Sequence, residues 1–223
     1  MNIRSWGWML MGCAVAMPAL AQDGDYNVAA TNSYALLSAG RSSTPAACDN
    51  RWLADSTCSS KGTIYRLGYG YNLNSLLGVE ISYGDFAHAR EDGIDPTPPA
   101  IIPGGGPIPY YRTWSVIGWE LAAVATVHLG QHLSLHGKAG WLRANMEEEV
   151  WYYALNGELW HGNYHETRNT TSVSGGIQYD FNRDVGLRFQ VNRYNKLPGA
   201  YQLDGTTYRF KTTSALASLV LKF

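Results

Sequence analysis

Between residues 64 and 84 the chain alternates with a period of two, and this alternation limits the fold more than any other feature. Tyr65-Arg66-Leu67-Gly68-Tyr69-Gly70-Tyr71 and Leu77-Gly78-Val79-Glu80-Ile81-Ser82-Tyr83-Gly84 carry large apolar side chains at odd numbers and Gly, Ser or a charge at even ones. Successive strand residues face opposite sides of a sheet, so the pattern predicts two strands around a tight turn near Asn72. The design returns at residues 115–128 and 133–142 around Gly130-Gln131, and at 173–179 and 185–194 around Asn182-Arg183. Residues 32–41 before the first hairpin and 208–223 at the end bring the expected total to eight antiparallel strands.

The connections are of two kinds that alternate strictly. Short turns lie near Asn72, Gln131 and Asn182, and long polar loops are expected at 42–61, 87–111, 147–169 and 195–207. The second loop holds Pro96, Pro98, Pro99, Pro103, Pro107 and Pro109 with Gly104, Gly105 and Gly106, which cannot extend a strand pair. The third carries Glu147-Glu148-Glu149 and Trp151-Tyr152-Tyr153, which can continue as strand.

A soluble barrel and a membrane barrel both alternate, and the polar face separates them. Arg66, Glu80, Glu120, Lys138 and Arg188 share the face of Gly68, Gly70, Gly118, Gly140, Gly176 and Gly186. A soluble barrel would turn that face outward and pack Tyr65, Tyr69, Trp119, Trp141, Tyr179 and Phe189 inside. An eight-stranded interior only just holds ordinary side chains, so those rings would overfill it. The inside-out arrangement is therefore expected: an all-β, eight-stranded, up-and-down transmembrane β-barrel with a polar lumen and a lipid-facing aromatic wall. The composition fits, with 15 Tyr, 8 Trp and 24 Gly but only 16% charged residues. Short turns would be periplasmic and long loops extracellular. After residue 21 the least interrupted apolar run, 121–129, contains His128, which excludes a helical membrane protein.

The first residues read as an export signal: Arg4, an apolar run from Trp6 to Ala16, and Ala19-Leu20-Ala21 before polar Gln22. Residues 1–21 are expected to be removed as a signal peptide, leaving 22–223 as one barrel domain. A lipobox-like Leu10-Met11-Gly12-Cys13 follows too short an apolar run to compete. An oxidising compartment then allows Cys48 and Cys58 to form a disulfide. The net charge of −1 sets aside a nucleic-acid partner held by a basic surface.

Nearly the whole exported chain resembles the OmpA-like transmembrane barrel family. The carrying segments are Gly40-Arg41-Ser42 with Cys48-Asp49 and Cys58-Ser59-Ser60-Lys61, then Leu67-Gly68-Tyr69-Gly70-Tyr71 and Gly78-Val79-Glu80. Further along stand Lys138-Ala139-Gly140-Trp141, Gly175-Gly176-Ile177-Gln178-Tyr179-Asp180 and Gly186-Leu187-Arg188-Phe189. The chain stops at Phe223, so the short form without a peptidoglycan-binding domain is expected. The resemblance implies a lumen in which a carboxylate meets an arginine and closes the passage. Glu80 and Arg188 match those positions, and Lys138 a basic one, with Arg66 and Glu120 on the same face. Gln178 stands where the family's best-known member has a carboxylate, which removes an alternative partner for a switching cation. Leu219, Leu221 and Phe223 alternate on one face and resemble the carboxy-terminal signal read by the barrel assembly machinery.

The function expected is a structural outer-membrane barrel with a charge-plugged lumen. Its partners would be outer-membrane lipids or lipopolysaccharide, the assembly machinery, and a host or envelope protein at the loops. A small gated channel, a lipid-modifying enzyme and an adhesin are the competing classes. His132-Leu133-Ser134 has the His–Ser spacing of a lipid A deacylase but falls at a periplasmic turn, away from the outer leaflet. His161 and His165 with Glu158 and Glu166 lack a structural zinc spacing. No catalytic residue, metal or cofactor is expected.

Overall fold

The computed structural model describes residues 32–49, 55–96, 107–153, 157–201 and 207–223. The expected signal peptide lies outside them. The elements in chain order are β1 (Ser33–Ser43), α1 (Pro45–Asp49), β2 (Thr57–Ser59), β3 (Lys61–Asn72) and β4 (Leu77–Asp95). They continue as β5 (Ile108–His128), β6 (Leu133–Tyr153), β7 (Leu159–Asp180), β8 (Val185–Tyr201) and β9 (Thr207–Lys222).

Eight strands close into a ring, β1-β3-β4-β5-β6-β7-β8-β9, with β9 returning to β1 and every pairing antiparallel. Each joins its sequence neighbour, apart from short β2, which pairs only with the far end of β4. The tight turns are built by side chains that mimic backbone. Asn74 Oδ1 accepts from the N–H groups of Leu76 (2.9 Å) and Leu77 (2.8 Å), and Asn182 Oδ1 from those of Asp184 (2.9 Å) and Val185 (2.8 Å).

The outer wall is apolar and open to its surroundings. Tyr65, Leu67 and Tyr69 on β3, Ile81 and Tyr83 on β4, Trp119 and Leu121 on β5, and Trp141 on β6 are exposed, and equivalents continue around the ring. A contiguous apolar belt of this extent exceeds anything a soluble monomer keeps in water. No described helix is long and apolar enough to cross a membrane. On β6 the belt ends between Trp141 and Arg143, and on β8 between Val191 and Arg193. On β6 the belt from Leu133 to Trp141 is nine residues, the lower end of the nine to eleven a tilted membrane strand needs.

Beyond the belt the strands run on: the loop expected at 87–111 is corrected, and the third connection continues as strand through Trp151-Tyr152-Tyr153, as its sequence allowed. β4 reaches Asp95, β5 begins at Ile108, β6 reaches Tyr153 and β7 begins at Leu159. The β5–β6 register is unbroken from Tyr110↔Tyr152 down to His128↔Ser134. Among the described prolines of this segment only Pro109 enters a strand, one residue from the start of β5. The segment expected as loop 195–207 is also largely strand: β8 continues through two irregularities to Tyr201, and β9 starts at Thr207. The 42–61 connection holds α1 and β2, fastened by the Cys48–Cys58 disulfide with Cα atoms 5.6 Å apart.

Candidate functional site in the barrel lumen

Alternation sends the even-numbered residues of the membrane-spanning strands inward, and the charges among them meet in one layer. Glu80 on β4 is fully buried. Its Oε1 accepts from Arg188 Nη1 on β8 and from the Tyr34 hydroxyl on β1 (2.8 Å), and its Oε2 from Lys138 Nζ on β6 (3.2 Å). Strands β4 and β8 are four places apart in the ring of eight, so the Glu80–Arg188 pair spans its diameter. Lys138 also lies 3.0 Å from Glu120 Oε2, whose two oxygens further accept from the hydroxyls of Ser172 and Ser82 (3.3 Å). Two carboxylates and two cations thus share one hydrogen-bonded knot. In so dry a setting a charge persists only if it is paired and its remaining lone pairs are met.

Gln178 joins this knot as a neutral member. Its Oε1 accepts from Arg188 Nε (3.0 Å), and its amide donates to Asp180 (2.7 Å), which in turn pairs with Lys222 (2.7 Å). Arg66 shares the lumen face but takes neutral acceptors. It donates to the Tyr194 hydroxyl (2.5 Å), Ser214 Oγ (3.3 Å) and the Asp85 carbonyl (2.9 Å), and its guanidinium lies 4.1 Å from the Phe86 ring centroid. Tyr34, Ser82, Ser172 and Tyr194 are network members that charge alone did not pick out; their even numbering was the signal.

Above this layer the lumen becomes apolar. Phe86, Trp114, Leu142, Met146 and Phe210 are buried together, with Trp114 edge-on to Phe210 at 5.3 Å and Phe86 edge-on to Tyr194 at 5.4 Å.

A second polar layer follows, beyond the membrane belt, among residues first read as loop. Arg112 on β5 donates to Glu148 on β6 (2.5 Å) and to Glu91 on β4 (3.3 Å). Glu91 also accepts from the hydroxyls of Tyr110 and Ser56, each at 2.7 Å. Burial, reinforced by the Glu91 carboxylate, raises the Tyr110 hydroxyl above the ordinary phenol range, so it remains a donor. Burial and Asp95 do the same for Tyr152, whose hydroxyl donates to Asp95 at 3.3 Å.

The candidate chemistries of the sequence are not assembled. His132 contacts the Asp180 carbonyl (2.8 Å), whereas Ser134 points into the lumen and bonds to His136 (3.0 Å). His161 stacks on Trp151 at 4.0 Å and His165 lies 3.9 Å from Glu147. Among the described residues no three His, Cys, Asp or Glu stand close enough to hold a metal.

A model of the outer membrane protein beta-barrel domain family matches residues 9–223. No curated protein matches the chain. Among solved structures it is similar to Neisserial surface protein A, at 12% identity and a TM-score of 0.45, over 86% of this chain and 97% of that one. It is also similar to Ail, the attachment invasion locus protein of Yersinia pestis in complex with the heparin analogue sucrose octasulfate, at 12% identity and a TM-score of 0.42, over 86% and 99%. The N-terminal β-barrel domain of Pseudomonas aeruginosa OprF gives 12% and 0.43, over 86% and 98%.

Proposed function

Because this chain belongs to the outer membrane protein beta-barrel domain family, integral to the outer membrane, we propose that it is a structural barrel whose lumen is shut by its own side chains. One observation supports this above the rest. The Glu80–Arg188 pair crosses the full diameter of the ring, Lys138 and Glu120 fill the space beside it, and an apolar stack lies directly above. An eight-stranded ring has little interior beyond its side chains, so no continuous water column passes such a layer.

In planar bilayers the refolded protein is expected to give no discrete conductance steps. Sustained unitary currents from the native sequence would overturn the closed-lumen reading in favour of a gated channel. Lipid A of unchanged mass after expression in cells would accompany a non-enzymatic role, and a new acylation state would contradict it.

A second reading, partner binding at the cell surface, rests on the wall of β4 to β7 that projects beyond the belt. Ile94, Tyr153 and Leu159 are exposed at its tip, far from the membrane-spanning rows. That wall offers a host or envelope protein exposed apolar side chains near the ends of its described strands. The assembly machinery would read the alternating Leu219, Leu221 and Phe223, all exposed at the end of the terminal strand.

A further inference from the structure

The extracellular rim of the outer wall is electrically lopsided. On four adjoining strands, β3, β1, β9 and β8, the first charged outward side chain past the apolar belt is a cation: Lys61, Arg41, Lys211 and Arg193. All four are exposed, and none of their side chains meets a carboxylate or other partner among the described residues. Around the rest of the rim, the first charged outward side chain on β4 is Asp85, β5 and β7 turn out neutral residues, and β6 turns out Arg143; Arg90, farther along β4, is already paired with Asp92 at 3.2 Å.

Register brings the cations together. Arg41 on β1 and Val191 on β8 both pair with Ala215 of β9, and Arg193 pairs with Thr213 one outward position higher. Arg41 and Arg193 therefore flank β9 on strands roughly 10 Å apart, a gap their side chains can close on one anion.

Directly below lies a shallow groove of about 560 Å³ in the apolar wall, reaching Arg41 at its upper end. Ala39, Ala215 and Ala217 form its floor, and Phe189 and Val191 its bank. Ala217 pairs with both Ala39 and Phe189, so floor and bank share one row of the sheet. An apolar trough in the bilayer that ends under unpaired cations at the headgroup level is complementary to an amphiphile with an anionic head.

We propose that this sector holds a phosphorylated lipid of the surrounding outer leaflet. Its phosphate is taken by Arg41, Arg193 and Lys211, and one acyl chain lies over Ala39, Ala215 and Ala217. The proposal rests on the reading that this rim faces the outer leaflet. A second copy of the chain fits poorly, since a two-fold contact would press the cationic cluster against itself. A soluble polyanion would satisfy the cations but leave the groove unused.

The test folds the mature chain into phosphatidylcholine nanodiscs doped with diphosphorylated lipid A and counts retained lipid by native mass spectrometry. The native protein should retain lipid A over phosphatidylcholine. The triple variant Arg41→Gln, Arg193→Gln, Lys211→Gln should lower that retention about 100-fold. Ala217→Trp, which fills the groove on a lipid-facing surface, should lower it severalfold, and Arg143→Gln should leave it unchanged. Unchanged retention by the triple variant, or equal retention of lipid A stripped of its phosphates, would overturn the proposal. So would displacement of the lipid by a sulfated polysaccharide with Ala217→Trp inert, which would assign the cations to a soluble polyanion. Each variant must show a heat-modifiable band on a gel. A folded native barrel that lacks lipid selectivity would remove this proposal alone, whereas failure of the native chain to insert would remove the membrane reading with it.

Discussion

The two polar layers of the lumen use the same chemistry in different walls. The lower one joins Glu80, Glu120, Lys138 and Arg188 inside a ring of eight paired strands. Among the described residues the upper one joins Arg112, Glu91 and Glu148 of β4, β5 and β6 with Ser56 from the segment before β2. At that height the ring is no longer continuous, since the β7–β8 pairing stops at Thr171↔Asn195. Breaking a buried pair by removing one partner is costly wherever it lies. Where the cost appears depends on the wall: a pair across the ring's diameter ties opposite strands together, whereas a pair between neighbours ties only a local sheet.

The largest effect is therefore expected from Arg188→Met, which leaves Glu80 without its cross-ring partner. It should cost about 3–5 kcal/mol, seen as a lower urea midpoint for loss of the heat-modifiable band. Combining it with Glu80→Gln should cost less than the sum of the two single changes. Arg112→Met removes a comparably buried cation from two carboxylates, for about 3 kcal/mol, but locally. Amide exchange should quicken in the upper parts of β4, β5 and β6 while the barrel's urea midpoint stays put. An equal fall in both midpoints would break the distinction between the layers.

The disulfide sharpens the same contrast at a smaller scale. Cys58 lies on β2, two residues after Ser56, whose hydroxyl donates to Glu91. Replacing both cysteines by serine should cost roughly 2–3 kcal/mol in the chain-entropy picture. The loss should appear as faster exchange around Glu91, not around Glu80. In the lower layer the matching probe is Gly70, where an added Cβ would come within 2.1 Å of the ring of Tyr34, whose hydroxyl donates to Glu80. Gly70→Ala should cost about 1–3 kcal/mol by overpacking, with the urea midpoint as readout.

How far each layer could be read from sequence follows from the same difference in walls. Within the bilayer, lipid on one side and lumen on the other force a strict alternation, and Glu80, Glu120, Lys138 and Arg188 stand out as charges on the glycine face. Above it the outer surface is wet, so Glu147-Glu148-Glu149 carries no alternation of its own, although it can continue as strand. Yet Glu148 is ten residues after Lys138 and Arg112 eight before Glu120, even steps that keep both facing inward, and both are buried. Glu91 was beyond any such count, because the bulge between Asp85 and Ala87 shifts β4 by one residue and turns odd positions inward. The neutral acceptors of Arg66 were hidden for another reason: a Tyr and a Ser on distant strands carry no charge pattern to match.

The smallest change in the folded state is expected at the chain's end, and it separates folding from assembly. Phe223 is 62% exposed, its ring centroid lies 6.2 Å from that of Tyr69, and its N–H donates to the Ser33 carbonyl at 3.0 Å. Phe223→Ala keeps that backbone bond and removes a ring that faces lipid, so refolded stability should change by less than about 1 kcal/mol. If Leu219, Leu221 and Phe223 are the signal for assembly, the amount of barrel reaching the outer membrane in cells should still fall severalfold. Immunoblotting of membrane fractions beside a urea titration of refolded protein gives both numbers. Equal losses in the two would make Phe223 a structural contact like Gly70, whereas a loss in cells alone would make it an address.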